Sequence, residues 1–198
     1  MKTWHKMMTR CYEWALSVSM KDGALWWLAA IAFIESSIFP IPPDVFLIPI
    51  ILARRDRAFM IAGICTVASV LGGYFGYFIG YELYDWLAAP LLEFYHYEQQ
   101  FETFRGYYNE WGAWIVAIGG FTPFPYKIIT IASGASGLDL WTFTIFSILA
   151  RGARFYLIAL LLYKFGEPMK TFIEKNLAWL SILFFVLLIG SFLLIKYL

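Results

Sequence analysis

Two stretches of this chain carry no charged side chain over the thickness of a bilayer: Ala58–Tyr81 runs for 24 residues and Asn176–Ile195 for 20. About 20 apolar residues in a helix cross the hydrocarbon core. A third stretch, Leu140–Tyr163, is apolar apart from Arg151 and Arg154. Two further apolar segments are interrupted near the middle. Ala24–Ala53 is broken by Phe39-Pro40-Ile41-Pro42-Pro43-Asp44, and Trp111–Leu138 by Thr122-Pro123-Phe124-Pro125-Tyr126-Lys127. Proline removes an amide donor and pushes its predecessor out of helical geometry, so prolines at alternate positions end a helix. Each broken segment is either an interrupted span or a re-entrant hairpin of two half-helices, the breaks being Pro40, Pro42 and Pro43, then Pro123 and Pro125. Non-helical backbone at that depth survives only where protein or a water-filled cavity satisfies it. Upstream, Trp4, Met8, Cys11, Ala15 and Val18 step by four and three, with Lys6, Arg10, Glu13 and Ser17 opposite. This predicts an amphipathic helix over 1–23 lying in the membrane interface, with a short soluble helix as the alternative.

The positions of Lys and Arg choose between span and hairpin, because short cytoplasmic loops collect them. With both broken segments turning back, one face gathers Lys2, Lys6, Arg10, Lys21, Arg54, Arg55, Arg57, Lys164, Lys170 and Lys175, against Arg105 and Lys196 on the other. With both segments spanning, the ten-to-two split falls to eight against four. The hairpin reading therefore predicts a cytoplasmic N-terminus. The link 87–110 carries Glu93, Glu98, Glu102 and Glu110 with one Arg and lies outside.

Pro40-Ile41-Pro42-Pro43-Asp44 and Pro123-Phe124-Pro125-Tyr126-Lys127 superpose both prolines at one offset. Each precedes a short polar link and a long span, and the two hairpins approach from opposite faces. The expected fold is thus all-α and integral to the membrane, an inverted repeat of re-entrant hairpin plus transmembrane helix. It comprises the interfacial helix 1–23 and one membrane domain over 24–166. The domain divides into hairpin 24–53, span 58–86, outer loop 87–110, hairpin 111–138 and span 140–163. A final span follows over 167–198.

Composition supports the membrane reading. The chain is 61% apolar, 21% aromatic and only 15% charged, against about 25% charged for soluble domains. A net charge of +1 gives no reason to expect a nucleic acid partner. Cys11 and Cys65 fit neither a disulfide framework nor a zinc site, and no metal or cofactor is expected. The run Ala132-Ser133-Gly134-Ala135-Ser136-Gly137 would need a base to make a serine nucleophile. The histidines, His5 and His96, fall outside the expected membrane core. No enzyme is expected.

Charges within a bilayer are costly and mark functional sites. Arg151 and Arg154, at i and i+3, share a helix face, and Lys127 sits where the second half of the second hairpin begins. Helix N-termini and guanidinium forks both suit phosphate. Lys127, Arg151 and Arg154 are therefore the candidate site for a lipid phosphate. The arginines equally suit a structural role, paired with Glu35 or with acids near Glu82. Glu35 and Asp44 flank the first break and are candidate proton-coupling groups, with Asp44 also placed to cap the second half-helix. Gly72, Gly73, Gly76 and Gly80 read as surfaces for close helix approach. The N-terminal helix has two candidate partners, the lipid surface and a second copy of the chain.

Taken together, Glu35…Pro40-x-Pro42-Pro43-Asp44, Gly72-Gly73-x-x-Gly76-x-x-x-Gly80 and Gly119-Gly120-Phe121-Thr122-Pro123-x-Pro125-Tyr126-Lys127 resemble the DedA family, also called the SNARE-associated Golgi or VTT-domain family. Ala132-Ser133-Gly134 and Arg151-Gly152-x-Arg154-Phe155 resemble one bacterial branch of it. The resemblance covers roughly residues 24–166. It implies a bacterial inner-membrane protein with paired re-entrant hairpins, engaged in recycling polyprenyl phosphate or flipping or scrambling phospholipid. It also implies weight on acids near the first hairpin and arginines near the second, with a proposed dependence on proton motive force. Glu35 and Asp44 match the acidic positions. The second hairpin departs from the commoner Phe-x-Arg-Phe-x-Pro-x-x-Arg. Ile118 and Gly120 replace its Phe and first Arg, and Tyr126 replaces the second Arg with Lys127 following. The family's lipid therefore does not carry over automatically, and an ion antiporter for a small solute or a non-transporting scaffold is the alternative.

Overall fold

A computed structural model of the protein describes residues 23–37, 43–122, 124–166 and 168. The expected interfacial helix up to residue 22, the prolines Pro40, Pro42 and Pro123, and the expected final span lie outside the described residues. Within them the architecture is all-helical, with no strand.

Helix α1 spans Ala24–Ser37 and α2 spans Asp44–Ala53. A short 3-10 turn over Arg55–Arg57 leads into α3, Ala58–Leu83. A π-helical turn, Tyr84–Ala88, joins α3 to α4, Ala89–Tyr95, and α5 covers Glu98–Phe121. Helix α6 is Tyr126–Ala135 and α7 is Leu140–Gly166. At 1.5 Å per residue, α3 and α7 are each about 40 Å long and exceed the hydrocarbon core, whereas α1 and α2 measure about 20 and 15 Å. Buried Pro43 stands immediately before α2, and Pro125 immediately before α6.

Helix α3 is the spine. Glycines let neighbouring backbones close on it where a methyl group would collide. A Cβ on Gly72 would overlap the Phe33 carbonyl of α1, and one on Gly80 would overlap the Ile131 carbonyl of α6. Gly76 meets Thr130 and the Ser36 carbonyl, and Gly73 faces Phe143, Thr130 and Tyr126. These contacts give the helix directions. Phe33 beside Gly72 and Ser36 beside Gly76 show that α1 runs with α3. Helix α2 returns to the start of α3 through the three-residue turn. Helix α6 also runs with α3, from Thr130 at Gly76 to Gly134 at Tyr77. Helix α5 runs against α6, since Gly119 meets Ile129 while Asn109 bonds the Ser136 carbonyl. Helix α7 runs against α3, from Tyr74–Thr144 through Ser69–Arg151 to Arg55 donating to the Tyr163 carbonyl. The α1–α2 pair thus lies towards the first end of α3, and the α5–α6 pair towards the other.

Two apolar cores follow from this arrangement. One joins Leu28, Leu47, Ile51, Ile61, Phe155 and Leu162 around the first half of α3. The other joins Tyr77, Val116, Tyr126, Ile129 and Phe143 around the second half. Val67, Leu71 and Phe78 of α3 and Ile145, Leu149 and Leu160 of α7 are instead exposed, a surface that only lipid would solvate. Exposed Trp26 and Trp27 open α1, while exposed Trp86 follows α3 and Trp141 opens α7, as interfacial aromatics do.

The segment 87–110, expected as an outer loop between spans, is largely helical. The π-helical turn carries the chain from α3 into α4, and His96 at φ 56° reverses it into α5. Between Glu98 and Phe121 no proline interrupts the helix, and Arg105 pairs with Glu102 one turn away. Acidity bears on the side of the membrane expected for the segment and says nothing about its backbone. Span α3 ends at Leu83, three residues short of the expected limit, and α7 runs three residues past its own.

Candidate functional site

Between the two apolar cores lies a polar centre built from the ends of broken helices. Ser36 and Glu35 close α1, Asp44 opens α2, Thr122 follows α5 and Tyr126 opens α6. Helix α7 passes them all and contributes Arg151 and Arg154.

Arg151 is enclosed. Its side chain is 1% exposed and its Nη2 donates to Glu35 Oε2 at 2.7 Å, with Glu35 9% exposed. Its Nε donates to Ser69 Oγ at 2.7 Å, and Ser69 is hydrogen-bonded to Ser36 at 2.7 Å. The Ser36 hydroxyl also donates to Glu35 at 3.2 Å. The guanidinium lies over two rings, 5.0 Å from the centroid of Tyr126 and 4.7 Å from that of Phe155. Tyr126 is in turn held by a 2.5 Å hydrogen bond to Ser147. Cation–ring contacts of this kind are worth about 2 kcal/mol when desolvated. A buried charge is tolerated only when paired and hydrogen-bonded, and Arg151 meets both conditions.

Arg154, one turn further on, is held differently. Its Nη1 donates to the Thr122 carbonyl at 2.6 Å and its Nη2 to Asp44 Oδ2. It therefore ties the end of α5 to the start of α2. The side chains are 14% and 20% exposed. Among the described residues nothing hydrogen-bonds Asp44 Oδ1, which is buried. Asp44 does not cap α2: Pro43 holds the cap position and the carboxylate reaches across to α7. In the first turn it still benefits from the positive end of the helix dipole.

The pairing of Arg151 with Glu35 is the structural alternative the sequence left open. The partner of Arg154 is Asp44 and not an acid near Glu82. Lys127 is half-buried on the first turn of α6, beside the Tyr126 that touches Arg151, and its carbonyl accepts the Thr130 hydroxyl at 2.9 Å. Thr130 also donates to the Ser36 carbonyl, linking α6 to the end of α1. Ser36, Ser69 and Ser147 were not singled out from the sequence, and Thr122 and Tyr126 entered only as members of the second break. Ser69 gave the one usable signal, a hydroxyl centred in the uncharged stretch of α3, but small residues there read equally as packing.

Among the described residues, an all-helical architecture with two apolar helices of spanning length, an apolar outer face and a buried ionic centre defines an integral membrane protein. The family follows from comparison: residues 41–164 match the VTT domain, and the chain belongs to that family, the DedA family. An uncharacterized protein of Haemophilus influenzae is 33% identical over 177 residues, covering 89% of this chain and 90% of that protein. A homologue from Histophilus somni, also uncharacterized, is 31% identical over 191 residues, 96% of this chain and 100% of its own length. An archaeal relative from Methanocaldococcus jannaschii is 25% identical over 141 residues, 71% of this chain and 85% of that protein. No solved structure matches the chain.

Proposed function

We propose that the protein is a transporter that carries a lipid phosphate, either polyprenyl phosphate or phospholipid, across the bacterial inner membrane, with its N-terminus cytoplasmic. In this reading α1–α2 and α5–α6 are re-entrant hairpins forming an inverted repeat, and the polar centre is the midplane site of such folds. The role is transport and not catalysis. The observation that carries the reading is Arg154, a partly exposed guanidinium in the middle of a spanning helix that joins the two broken pairs. Guanidinium forks hold phosphate oxygens well. Lys127 and Arg151 complete the cationic set, and Glu35 and Asp44 are the carboxylates available for proton coupling.

The test is headgroup accessibility in proteoliposomes, with labelled polyprenyl phosphate and labelled phospholipid compared side by side. Faster loss of protection with wild type than with Arg154→Ala supports the reading, and the faster lipid names the substrate. Rates equal to those of empty liposomes for both lipids reject it in favour of a small-ion antiporter or a scaffold. Equal flux with and without a pH gradient removes the proton-coupling role.

A further inference from the structure

The two arginines sit one turn apart on α7 and pair with one carboxylate each, yet their surroundings are opposite in character. Arg151 has a partner on Nε, a partner on Nη2 and two aromatic rings against its guanidinium. Its carboxylate, Glu35, belongs to the third-last residue of α1, where the helix dipole disfavours negative charge. Releasing Glu35 from Arg151 would strand both charges in a dry, unfavourable place. Arg154 and Asp44 are more exposed, and Asp44 lies in the first turn of α2, where the dipole supports a carboxylate that has lost its partner. Only one arm of Arg154 holds Asp44. The other stays on the Thr122 carbonyl.

We propose that the two pairs divide the work of phosphate binding: Arg151 lends its charge to the site while staying braced by Glu35, and Arg154–Asp44 is the exchangeable pair. An incoming phosphate oxygen takes the place of Asp44 on Nη2 of Arg154, which unties α2 from α7 while Nη1 keeps α5 attached. A phosphate that joined Arg154 without displacing Asp44 would lie against a second anion, and like charges at that distance repel strongly. Exchange removes the repulsion. It also couples occupancy of the site to the position of the first broken pair, giving an element whose two arrangements the ligand biases. This inference rests on the lipid-phosphate reading and specifies how that site is occupied.

If Asp44 occupies Arg154 about ten times as often as it leaves it free, apparent affinity is reduced by that factor, and deleting the competitor restores it. The experiment uses the purified full-length chain in detergent, with dihexanoyl phosphatidic acid and inorganic phosphate as probes. Binding is measured by titration calorimetry for wild type, Asp44→Asn and Glu35→Gln. Spin labels at the exposed positions Val45 and Leu157 report the α2–α7 distance by pulsed dipolar spectroscopy, with Cys11→Ser and Cys65→Ala as background. The expected result is about tenfold tighter binding of dihexanoyl phosphatidic acid by Asp44→Asn, and no gain for Glu35→Gln. The label distance should also lengthen in the wild-type background when dihexanoyl phosphatidic acid is added. That measurement needs no charge variant and so stands even if Asp44→Asn misfolds. Binding to wild type with no gain in Asp44→Asn and an unchanged label distance overturns the exchange and leaves the transport reading standing. A response to inorganic phosphate equal to that for dihexanoyl phosphatidic acid supports the exchange and moves the substrate from lipid to free anion. If neither probe binds wild type or Asp44→Asn, the phosphate site itself fails, and the exchange with it.

Discussion

Removing one member of the Arg151–Glu35 pair should cost far more than removing both. With Glu35→Leu, Arg151 keeps its bond to Ser69 and its two rings but loses its counter-charge at 1% exposure. A buried ion left without its partner costs about 3–5 kcal/mol. With Arg151→Met, a side chain of roughly matching length refills the space beside Tyr126 and Phe155, but among the described residues Glu35 retains only the Ser36 hydroxyl. The double variant leaves no charge in the cluster and keeps its volume, so its penalty should fall below that of Glu35→Leu alone. The coupling energy should reach about 2–3 kcal/mol, the upper part of the range for residues in one network. Unfolding of each variant would be followed by dodecyl sulfate titration in mixed micelles, using the near-ultraviolet signal of the tryptophans. A double variant whose loss equals the sum of the single losses would falsify the brace.

Ser69→Ala removes the acceptor of Arg151 Nε, and a hydrogen bond to a charged group is worth about 1.5–3 kcal/mol. The same titration should show a loss of that size without loss of the helical far-ultraviolet signal. Gly72→Leu and Gly80→Leu should each destabilise by at least about 1–3 kcal/mol, because a side chain there meets the carbonyls of Phe33 and Ile131. Gly106→Ala, with open space around it inside α5, should show no loss of stability in the same assay. Asp139 accepts the Thr142 amide at 2.8 Å and its hydroxyl at 3.0 Å at the start of α7. The Thr142 amide bond, then the hydroxyl bond, hold its carboxyl below the ordinary 3.8. Its stabilising contribution should therefore be complete above about pH 4 and disappear as pH falls through the lowered folded value. In Asp139→Asn the acid-side dependence of α7 unfolding should flatten. For orientation, Asp56→Cys should react with an impermeant maleimide only from the cytoplasmic side and Gln99→Cys only from the other. The reverse pattern overturns the assigned topology.

The long helices were legible because an uncharged run has one stable place. Ala58–Tyr81 could be read as a span without reference to any other residue, and α3 covers it fully. Pro43 and Pro125 likewise announced the starts of α2 and α6, since a missing amide is tolerated at a helix N-terminus. The segment 87–110 was not legible, because acidic charge bears on which side a segment is expected to face and not on whether its backbone is helical. The charged residues of the site could be chosen from sequence, since intramembrane charge is rare. Their pairing could not be chosen. Arg151 and Glu35 are separated by 116 positions and meet only because Gly72 and Gly76 bring α1 onto α3. The hydroxyls that complete the cluster, Ser36 and Ser69, differ in no local way from Ser133, which bonds its own helix at Ile129.

The central claim is that a lipid headgroup crosses at Arg154. The direct measurement is the initial rate at which an impermeant reagent gains access to labelled lipid in the inner leaflet of proteoliposomes. Wild type, Arg154→Ala and a silent control, Gly106→Ala, would be reconstituted at equal density. The account predicts rapid access with wild type and the control, and the rate of protein-free liposomes with Arg154→Ala. Equal rates for wild type and Arg154→Ala would contradict it.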